Sequence, residues 1–333
     1  MTVGWGIIGM GNIADKVTAP AMTEAKSSRL VAVMRRDLNR ARELADEHGA
    51  ARAYSTVEEV LEDDEVDAVY VATPVHVHAE QTIQAAEYGK HVLCEKPMAL
   101  NPEEAQRMVD ACDANGVKLM LCYYQRFNRR HQKIKELIAS GQIGKVTAAR
   151  VTFSGFGPDN PQSWRQKPEL SGGGNLMDCG SHCVDLLRYL LGDVTRVSAL
   201  VSTIAFDYAV DDTATMLLEM DGGTHAVVSS HWSTLIPDQQ ESSVVAIYGT
   251  GGTIVSTPQQ EKFSRGSLKL MTRTQQTEYH FEESTHVQML DAFAASIESD
   301  EPIPITGQDG VAVSKVIAAA YQSAREGKAI TIL

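Results

Sequence analysis

Residues 3–14 read VGWGIIGMGNIA, and this stretch decides the fold of the first part of the chain. Val3–Ile8 is a short apolar run typical of a buried strand, and Ile13–Ala25 has the length and pattern of a helix. Between the two lies a G-x-G-x-x-A turn, Gly9–Ala14. Its first glycine permits a tight bend, its second lets the backbone approach a pyrophosphate, and its small third residue allows helix and strand to pack closely. The stretch predicts a dinucleotide-binding βαβ unit.

Alternating strand and helix patterns continue to about residue 124. The predicted strands are Leu30–Met34, Ala68–Ala72, His91–Cys94 and Lys118–Cys122, and the predicted helices are Leu38–Glu47, Val57–Leu61, Ala79–Tyr88 and Pro102–Ala114. Ser55 followed by Glu58 has the spacing of a capping box for the short second helix of this set. Repeated β-α units form a parallel sheet with helices on both faces. We therefore predict that residues 1–124 form a doubly wound α/β Rossmann domain.

The pattern changes after residue 125, where several strands follow one another. The predicted strands are Val146–Phe153, Val197–Thr203, Ala214–Glu219, Thr224–His231, Ser243–Tyr248, Thr253–Ser256 and Leu268–Met271, and the predicted helices are Gln132–Ser140, Met177–Leu191, Val287–Ser299 and Asp309–Glu326. Consecutive strands joined by short turns pair antiparallel. We expect residues 125–333 to form an α+β domain with a large, mostly antiparallel open sheet, whose final helices pack near the first domain.

The composition is that of a folded protein with two domains. A chain of 333 residues exceeds the size at which a single hydrophobic core stops growing. The 43 acidic and 30 basic side chains give a formal charge of -13, which repels nucleic acid and anionic lipid. The sequence shows neither the pattern of a secretory signal nor the ~20 apolar residues of a membrane span. We expect a cytoplasmic protein that binds neither nucleic acid nor membranes.

Five cysteines, an odd number, are spread along the chain, which is typical of reduced thiols rather than of a disulfide framework. Cys179, His182 and Cys183 lie close enough in sequence to be considered as metal ligands. Zinc sites usually combine two such clusters, however, and no second cluster follows in this sequence. We therefore expect no metal site.

The end of the second strand indicates which dinucleotide is bound. In this position an acidic residue would accept the ribose 2′-hydroxyl of NAD. Here the strand leads into Arg35, Arg36 and Asp37, with Arg40 one turn later. Guanidinium groups suit a 2′-phosphate by charge and by bidentate geometry, so NADP(H) is favoured over NAD(H). Asp37 can also bond a ribose, which leaves NAD(H) open.

Three side chains are candidates for the chemistry. Lys96 follows an apolar strand, at the sheet edge where ligands of doubly wound folds bind, and its ammonium can polarise a carbonyl oxygen. Asp178 and His182 are four residues apart, hence on one helix face. A histidine oriented by a carboxylate can exchange the proton that reversible carbonyl reduction needs. We predict Lys96, Asp178 and His182 as catalytic residues. Without the other motifs, a D-x3-H pair would indicate only a capped helix on which the histidine is packed.

Taken in order, these motifs resemble the glucose-fructose oxidoreductase / inositol dehydrogenase / rhizopine catabolism (Gfo/Idh/MocA) family. The matching motifs are Gly9-x-Gly11, Thr73-Pro74 with His78, Glu95-Lys96-Pro97, Arg126-Phe127-Asn128, Gly172-Gly173-Gly174 and Asp178-x3-His182. They span nearly the whole chain, and several motifs in order are more specific than any one of them. Within the family, Trp164-Arg165 and the spacing of the arginines are most similar to the NADP-dependent 1,5-anhydro-D-fructose reductases.

The resemblance implies an NADP(H)-dependent sugar oxidoreductase that transfers a hydride to or from a sugar or polyol and forms a homodimer or homotetramer through its second domain. The implied dinucleotide contacts are Gly9, Met10, Gly11, Asn12, Ile13, Arg35, Arg36, Arg40, Thr73, Pro74, His76, His78, Glu95, Lys96, Cys122, Trp164, Arg165 and His286. The implied substrate contacts are Lys96, Arg126, Asp178 and His182. The anhydrofructose reductases have smaller hydroxyl residues in place of Arg35 and Arg36 and an asparagine in place of Cys122, so the adenosine and sugar contacts can differ.

Two other functions remain open. The first is an NAD-dependent inositol or sugar dehydrogenase that works in the oxidative direction. The second is a non-catalytic, NADP-responsive regulatory protein that keeps the fold and reports redox state to a partner. The presence of Lys96, Asp178 and His182 speaks against the second, because a sensor needs only the dinucleotide half.

Overall fold

The structure, a computed structural model, describes residues 2–235, 243–259, 262–282, 285–299 and 301–332. The chain forms two compact units. Unit 1 comprises Met1–Tyr124 and Thr285–Ala312, and unit 2 comprises Gln125–Ser284 and Val313–Leu333. Among the helices in the described ranges, none combines the length and the apolar character needed to span a bilayer.

Unit 1 contains a six-stranded parallel sheet in the order β3-β2-β1-β4-β5-β6. Its strands are β1 Val3–Ile8, β2 Ser28–Met34, β3 Arg52–Tyr54, β4 Ala68–Val71, β5 His91–Cys94 and β6 Leu119–Leu121. The order is that of a Rossmann fold, so the predicted fold class is confirmed for this part. The central strand is buried on both faces, with Trp5, Ile7 and Ile8 at 0% exposure. The short strand β3 was not predicted.

The helices of unit 1 follow the predicted pattern. A π-helical turn, Ala14–Thr18, leads into α1 Ala19–Glu24, and the later helices are α2 Leu38–His48, α3 Val57–Leu61, α4 His78–Glu87 and α5 Pro102–Ala114. Helix α9, Thr285–Glu298, also belongs to this unit. Its Phe293 ring lies 5.9 Å from the ring of Trp5, and Asp291 accepts hydrogen bonds from the backbone and side chain of Ser27.

The capping box of α3 lies one residue later than predicted. Thr56, with an extended backbone, accepts a hydrogen bond from the Glu59 backbone nitrogen at 3.4 Å, and the Glu59 carboxylate accepts one from the Thr56 nitrogen at 3.0 Å. Ser55 also donates to Glu59 at 3.0 Å. The prediction of Ser55 with Glu58 is wrong: two adjacent pairs in this sequence have the capping-box spacing, and the box is formed by Thr56 and Glu59.

Unit 2 contains a nine-stranded sheet in the order β14-β13-β12-β11-β7-β10-β9-β8-β15. All neighbouring strands are antiparallel except β7 and β10, so the predicted mostly antiparallel open sheet is confirmed. The strands are β7 Val146–Ser154, β8 Val194–Ser202, β9 Thr213–Met220, β10 His225–His231, β11 Ser243–Gly249, β12 Gly252–Gln259, β13 Lys262–Thr272, β14 Gln276–Glu282 and β15 Ile330–Thr331. β14 was not predicted, although its half-buried Thr277, Tyr279 and Phe281 alternate with the exposed Gln276, Glu278 and His280.

Four helices complete this part of the chain: α6 Arg129–Ala139, α7 Pro168–Ser171, α8 Ser181–Leu191 and α10 Gly307–Glu326, which begins in unit 1. Helix α6 begins three residues before the predicted start, because Asn128 caps it by accepting a hydrogen bond from the Arg130 backbone nitrogen at 3.0 Å. Helix α8 packs on strands β7 and β10. On the opposite face of the sheet, Leu200 is 77% and Leu217 is 59% exposed.

Candidate active site

The glycine turn predicted to hold the dinucleotide follows β1 directly. Gly9 has a φ of +91°, and a Cβ there would lie 2.6 Å from the Thr73 Cγ2 atom. At Gly11, a Cβ would meet no atom of the described residues within 4 Å. Gly9 is therefore required by the fold, whereas the space beside Gly11 leaves the backbone accessible to a ligand. This arrangement fits the pyrophosphate of a dinucleotide at the start of the first helix.

The three arginines after β2 have different surroundings. Arg35 donates a hydrogen bond from Nη1 to the Met10 carbonyl oxygen at 2.9 Å, so it braces the glycine turn. Arg40 pairs with Glu43 at 2.7 Å. Arg36 is exposed and forms no hydrogen bond or ion pair with any described residue. Arg36 therefore has the guanidinium most available to a 2′-phosphate.

Asp37, the acidic residue that leaves NAD(H) open, caps helix α2. Its Oδ1 atom accepts hydrogen bonds from the backbone nitrogens of Asn39 at 3.1 Å and Arg40 at 3.2 Å. A carboxylate in this position satisfies backbone donors that the helix cannot satisfy itself. One oxygen of Asp37 is therefore engaged in holding the helix before any ribose binds.

The turn after β4 is held by Thr73 and His78. The Thr73 hydroxyl donates to the Gln81 side-chain oxygen at 2.6 Å. The buried His78 ring lies 3.0 Å from the Pro97 carbonyl oxygen and 2.8 Å from that of Thr73. Burial lowers the pKa of His78, whereas the two carbonyl oxygens favour the protonated ring. His78 thus ties this turn to the proline turn after β5, while His76 on the same turn is exposed.

Glu95 and Lys96 leave the carboxyl end of β5. The Glu95 carboxylate accepts hydrogen bonds from the Tyr70 hydroxyl at 2.6 Å and from the Lys96 backbone nitrogen at 3.1 Å. The thiol of Cys122, which is 0% exposed, also favours the charged form of this carboxylate. Burial raises the pKa of Glu95 in spite of these donors. Lys96 is half-buried and precedes a cis peptide bond to Pro97.

Asp178 and His182 lie on one helix of unit 2. Asp178 belongs to a π-helical turn, Leu176–Gly180, that leads into α8, and turns of this kind are frequent at functional sites. Its Oδ2 atom lies 3.8 Å from the Nε atom of Arg165. The Arg165 guanidinium is 4.5 Å from the centre of the Trp164 ring. His182 is 5% exposed. The structure thus places Asp178 beside the predicted pair Trp164 and Arg165.

Two residues that were not identified from the sequence hold the start of this helix. Asp211 accepts hydrogen bonds from the backbone nitrogens of Gly174 at 2.9 Å and Leu176 at 2.7 Å, and the Tyr321 hydroxyl donates to it at 2.6 Å. A Cβ at Gly173 would overlap the Tyr321 hydroxyl, and one at Gly174 would overlap the Asp211 backbone. The triple glycine indicated that another group approaches this backbone closely. Only the structure shows that these groups are Tyr321 at Gly173 and Asp211 at Gly174.

Arg126, a predicted substrate contact, forms a buried ion pair in unit 2. Its Nε and Nη2 atoms donate to the Asp185 carboxylate at 3.1 and 2.6 Å. The side chains are 11% and 1% exposed, and Asp185 lies on α8 one turn after His182. The pair therefore anchors α8 to the turn that follows β6. Contact between Arg126 and a substrate stays a prediction.

His286, the last predicted dinucleotide contact, lies at the start of α9. Its ring stacks on that of Tyr124 at 4.8 Å, and Nδ1 lies 3.2 Å from the Thr285 hydroxyl. Burial lowers the pKa of His286 to about 4. Its buried Nε2 atom has no hydrogen-bond partner among the described residues, which is the condition of a group that meets a ligand or a water.

Of the other predicted contacts, Met10 is buried, Ile13, Pro74 and Trp164 are half-buried, and Asn12 and Arg165 are exposed.

The described residues also contain one group with the composition of a metal site. The possible ligand atoms of Asp15, Glu47 and His48 lie within 4.8 Å of one another. The Lys16 ammonium lies 2.9 Å and the His48 Nε2 atom 2.8 Å from the Asp15 carboxylate, and these two hydrogen bonds lower the pKa of Asp15. Because the carboxylate is already paired with a cation, we assign this group a structural role between the first helix and α2.

Two family models match the chain. Residues 3–123 match an oxidoreductase family with an NAD-binding Rossmann fold, and residues 131–255 match the GFO/IDH/MocA C-terminal domain. The chain belongs to the Gfo/Idh/MocA oxidoreductase family. The resemblance inferred from the motifs is thereby confirmed, and the protein is an NAD(P)-dependent oxidoreductase.

Similar proteins match this family member over its whole length. D-xylose 1-dehydrogenase (NADP(+)) 2 from Haloferax volcanii is 33% identical over 98% of this chain and 99% of its own. A 1,5-anhydro-D-fructose reductase from Ensifer adhaerens is 30% identical over 98% of both chains. Among solved structures, an aldose-aldose oxidoreductase from Caulobacter crescentus, complexed with glycerol, has a TM-score of 0.91 and 27% identity, with 100% of both chains covered.

Proposed function

We propose that this family member is an NADP(H)-dependent sugar oxidoreductase that reduces a keto-sugar such as 1,5-anhydro-D-fructose. The main support is the joint presence of Lys96 at the carboxyl end of β5 and of Asp178 and His182 on one helix of unit 2. The full-length relatives are named as a sugar dehydrogenase and a keto-sugar reductase, which favours a sugar as the substrate.

The proposed mechanism assigns one task to each side chain. A bound nicotinamide supplies the hydride to the carbonyl carbon, or accepts it in the reverse direction. His182 gives a proton to the sugar oxygen in reduction and removes it in oxidation. The Lys96 ammonium stabilises the negative charge that develops on that oxygen. Asp178 orients the sugar and the proton transfer, and Arg165, 3.8 Å away, orients Asp178.

A substrate screen followed by the nicotinamide absorbance tests this proposal. We expect NADPH to be oxidised in the presence of 1,5-anhydro-D-fructose. Turnover found only with NAD⁺ and a polyol such as myo-inositol would support the NAD-dependent dehydrogenase instead. Dinucleotide binding without turnover of any keto-sugar, aldose or polyol would support the non-catalytic regulatory protein.

The preference for NADP(H) is proposed to depend mainly on Arg36. Replacing Arg36 by alanine removes a charge-assisted hydrogen bond to the 2′-phosphate, which contributes about 1.5–3 kcal/mol. NADPH affinity should fall by about 10- to 100-fold, whereas NADH affinity should stay unchanged. Thermal-shift titrations with both dinucleotides measure this difference, because a tighter ligand stabilises the fold more.

Arg42 provides the matched control for Arg36. It is also exposed and lies on helix α2, so Arg42→Ala removes the same charge without touching the predicted phosphate contact. This variant should keep the wild-type difference between NADPH and NADH. Equal stabilisation of the wild-type protein by the two dinucleotides would contradict the assignment of NADP(H).

We further propose that the exposed face of the nine-stranded sheet joins subunits into a homodimer or homotetramer. Leu200 on β8 and Leu217 on β9 are 77% and 59% exposed on this face, and neighbouring large apolar side chains in such positions typically mark an interface. The double variant Leu200→Lys, Leu217→Lys should therefore have a smaller mass by light scattering than the wild type. Ile204→Lys, at a residue 71% exposed but outside the strands, should not. A monomeric wild type would rule the interface out.

A further inference from the structure

A continuous run of aromatic rings in unit 2, the aromatic run, leads from His182 to the surface. The His182 ring lies 5.5 Å from that of Phe153, and Phe153 packs against a small buried cluster. Phe206 packs against the same cluster, and its ring lies 5.8 Å from that of Phe156. Phe206 is half-buried, whereas Phe156 is 53% exposed. The aromatic run therefore connects a proposed catalytic residue with an exposed ring.

The buried cluster lies next to the π-helical turn that carries Asp178. Its members are Cys179, Tyr208, Val210 and Trp232. Cys179 directly follows Asp178 in the turn. Tyr208 stacks on Phe206 with the ring centres 5.4 Å apart, and its ring lies 6.5 Å from that of Trp232. The aromatic run thus passes beside both candidate catalytic residues of unit 2.

Three loops at one edge of the nine-stranded sheet carry exposed apolar side chains. β10 is parallel to β7 and antiparallel to β9, which is antiparallel to β8, so the carboxyl ends of β7, β8 and β10 lie at the same edge. Shortly after these ends follow three large apolar side chains that are each more than half exposed: Phe156, Ile204 and Leu235. A backbone bridge joins Phe156 to Ser233 in the third loop. Exposed apolar groups gathered in one place indicate a binding surface.

The loop that carries Phe206 is anchored by one buried carboxylate. Asp212, which is 0% exposed, accepts hydrogen bonds from the backbone nitrogens of residues 204–206 at 2.8–3.2 Å and from the Thr213 hydroxyl at 2.8 Å. Burial raises the pKa of Asp212, but these donors outweigh burial and hold the pKa below its ordinary value. The Phe206 ring is therefore presented on an anchored backbone, as a pre-organised binding surface requires.

The polar groups beside the aromatic run favour a neutral, apolar ligand. The Tyr208 hydroxyl donates to the Gly157 carbonyl oxygen at 3.3 Å, and the Ser233 hydroxyl lies 2.8 Å from that of Thr213. These hydroxyls are bonded within the protein, so they suit an aromatic ring better than a second sugar ring with its many hydroxyls. The same loops also carry two exposed carboxylates that disfavour an anionic ligand, those of Asp159 and Asp207.

We propose that the aromatic run is a substrate subsite that binds a neutral aryl group attached to the sugar. Aromatic rings attract one another in offset or edge-to-face arrangements. The Phe156 and Phe206 rings are inclined at 63°, so an aryl group stacked on one of them meets the other at an angle. The preferred substrate is then an aryl glycoside or its keto form rather than an unsubstituted sugar. This inference rests on the proposed function, since it takes the sugar to lie at Asp178 and His182.

Binding of matched glycosides to the NADPH-loaded protein tests the proposal. The probes are the phenyl and methyl β-glycosides of glucose, galactose and xylose, titrated by calorimetry. NADPH cannot accept a hydride, so the glycosides bind without being oxidised. For at least one sugar, the phenyl glycoside should bind about 10-fold more tightly than the methyl glycoside, which is the order expected of one buried aromatic contact. If no phenyl glycoside binds more tightly than its methyl counterpart, the proposal is wrong.

Three variants show where the preference for the phenyl group originates. Phe156→Ala and Phe206→Ala should each remove most of it. Tyr88→Ala is the control, because it removes a ring that is 42% exposed just after α4, in unit 1, and it should retain the preference. A preference that survives in both phenylalanine variants, or that is lost in Tyr88→Ala, would overturn the proposal.

Light scattering distinguishes a substrate subsite from a contact between subunits. Phe156→Ala should have the same mass in solution as the wild type, because the proposed occupant of this surface is a small molecule. A smaller mass for Phe156→Ala would show that the exposed ring joins two copies of the chain, and the subsite would then be refuted.

Turnover provides a second readout that separates this proposal from the proposed function. With NADP⁺, the phenyl glycoside should have a KM about 10-fold below that of the methyl glycoside and a similar kcat, because the aryl group binds away from the reacting carbon. If the phenyl glycoside binds more tightly but neither glycoside is oxidised, the proposed function alone fails. If both are oxidised with equal KM and bind equally well, the subsite alone fails.

Discussion

Lys96→Met is expected to lower kcat for keto-sugar reduction by at least ~100-fold, because it removes the cation that stabilises the developing negative charge on the sugar oxygen. Removing a single stabilising group of this kind from an active site typically costs about 10²–10³ in kcat. Methionine keeps the length and apolar stem of the lysine, so packing around β5 should survive. Steady-state kinetics with NADPH and 1,5-anhydro-D-fructose measure the loss.

Dinucleotide binding provides the control for this variant. The glycine turn and Arg36 are unchanged, so the NADPH affinity of Lys96→Met, measured by thermal shift, should stay within a few-fold of the wild type. Lys90→Met is the matched control, because Lys90 precedes the start of β5 whereas Lys96 follows its end. The Lys90 ammonium donates hydrogen bonds to the backbone oxygens of Asp63 and Val66 at 3.0 and 2.8 Å. It should retain kcat. Near-full activity of Lys96→Met would disprove the catalytic assignment.

Asp185→Ala is expected to destabilise unit 2 by about 3 kcal/mol or more, because it removes the buried carboxylate to which the Arg126 guanidinium donates hydrogen bonds. Breaking a buried ion pair by removing one partner typically costs about 3–5 kcal/mol. The two side chains are only 11% and 1% exposed, so water cannot replace the lost carboxylate. Chemical denaturation of the purified variant measures the loss, with fluorescence as the probe.

Two comparisons test whether loss of the buried carboxylate of Asp185 is the cause. Glu219→Ala breaks a pair with Arg196 in which the side chains are 36% and 57% exposed, and such a surface contact contributes about 1 kcal/mol or less. Arg126→Met combined with Asp185→Leu removes both charges and should recover much of the stability lost in Asp185→Ala. If the double variant is as unstable as the single one, lost packing rather than the buried charge is responsible.

Much of the fold could be predicted because its signals are local. Strand β1 and the glycine turn lie within twelve consecutive residues, 3–14, and the parallel strands that follow are short apolar runs. The capping box of α3 shows the limit of such signals, since Ser55 with Glu58 and Thr56 with Glu59 satisfy the same pattern. Strand β14 shows another limit, because the alternation in this edge strand consists of only Thr277, Tyr279 and Phe281, all half-buried, and was not recognised as a strand.

For the candidate site, the elements on which the residues lie were predictable, but the contacts of those residues were not. The spacing of Asp178 and His182 placed both on one helix, and the apolar strand before Lys96 placed that lysine at the carboxyl end of the sheet. The surroundings of the arginines were not predictable. Arg35, Arg36 and Arg40 form one charged cluster in sequence. Only the structure shows that Arg35 braces the glycine turn, that Arg40 pairs with Glu43, and that Arg36 bonds no described residue.

The sequence by itself determined that the chain contains a Rossmann domain, a mostly antiparallel second sheet and the motifs of an NAD(P)-dependent oxidoreductase. Tertiary structure alone decided what supports those motifs. Tyr70 meets Glu95 across 25 residues, Asp211 meets Gly174 across 37, and Arg126 meets Asp185 across 59. Periodicity and spacing report on neighbours along one element, whereas a hydrogen bond between two elements leaves no period in either. These partners became visible only when the strands and helices were packed together.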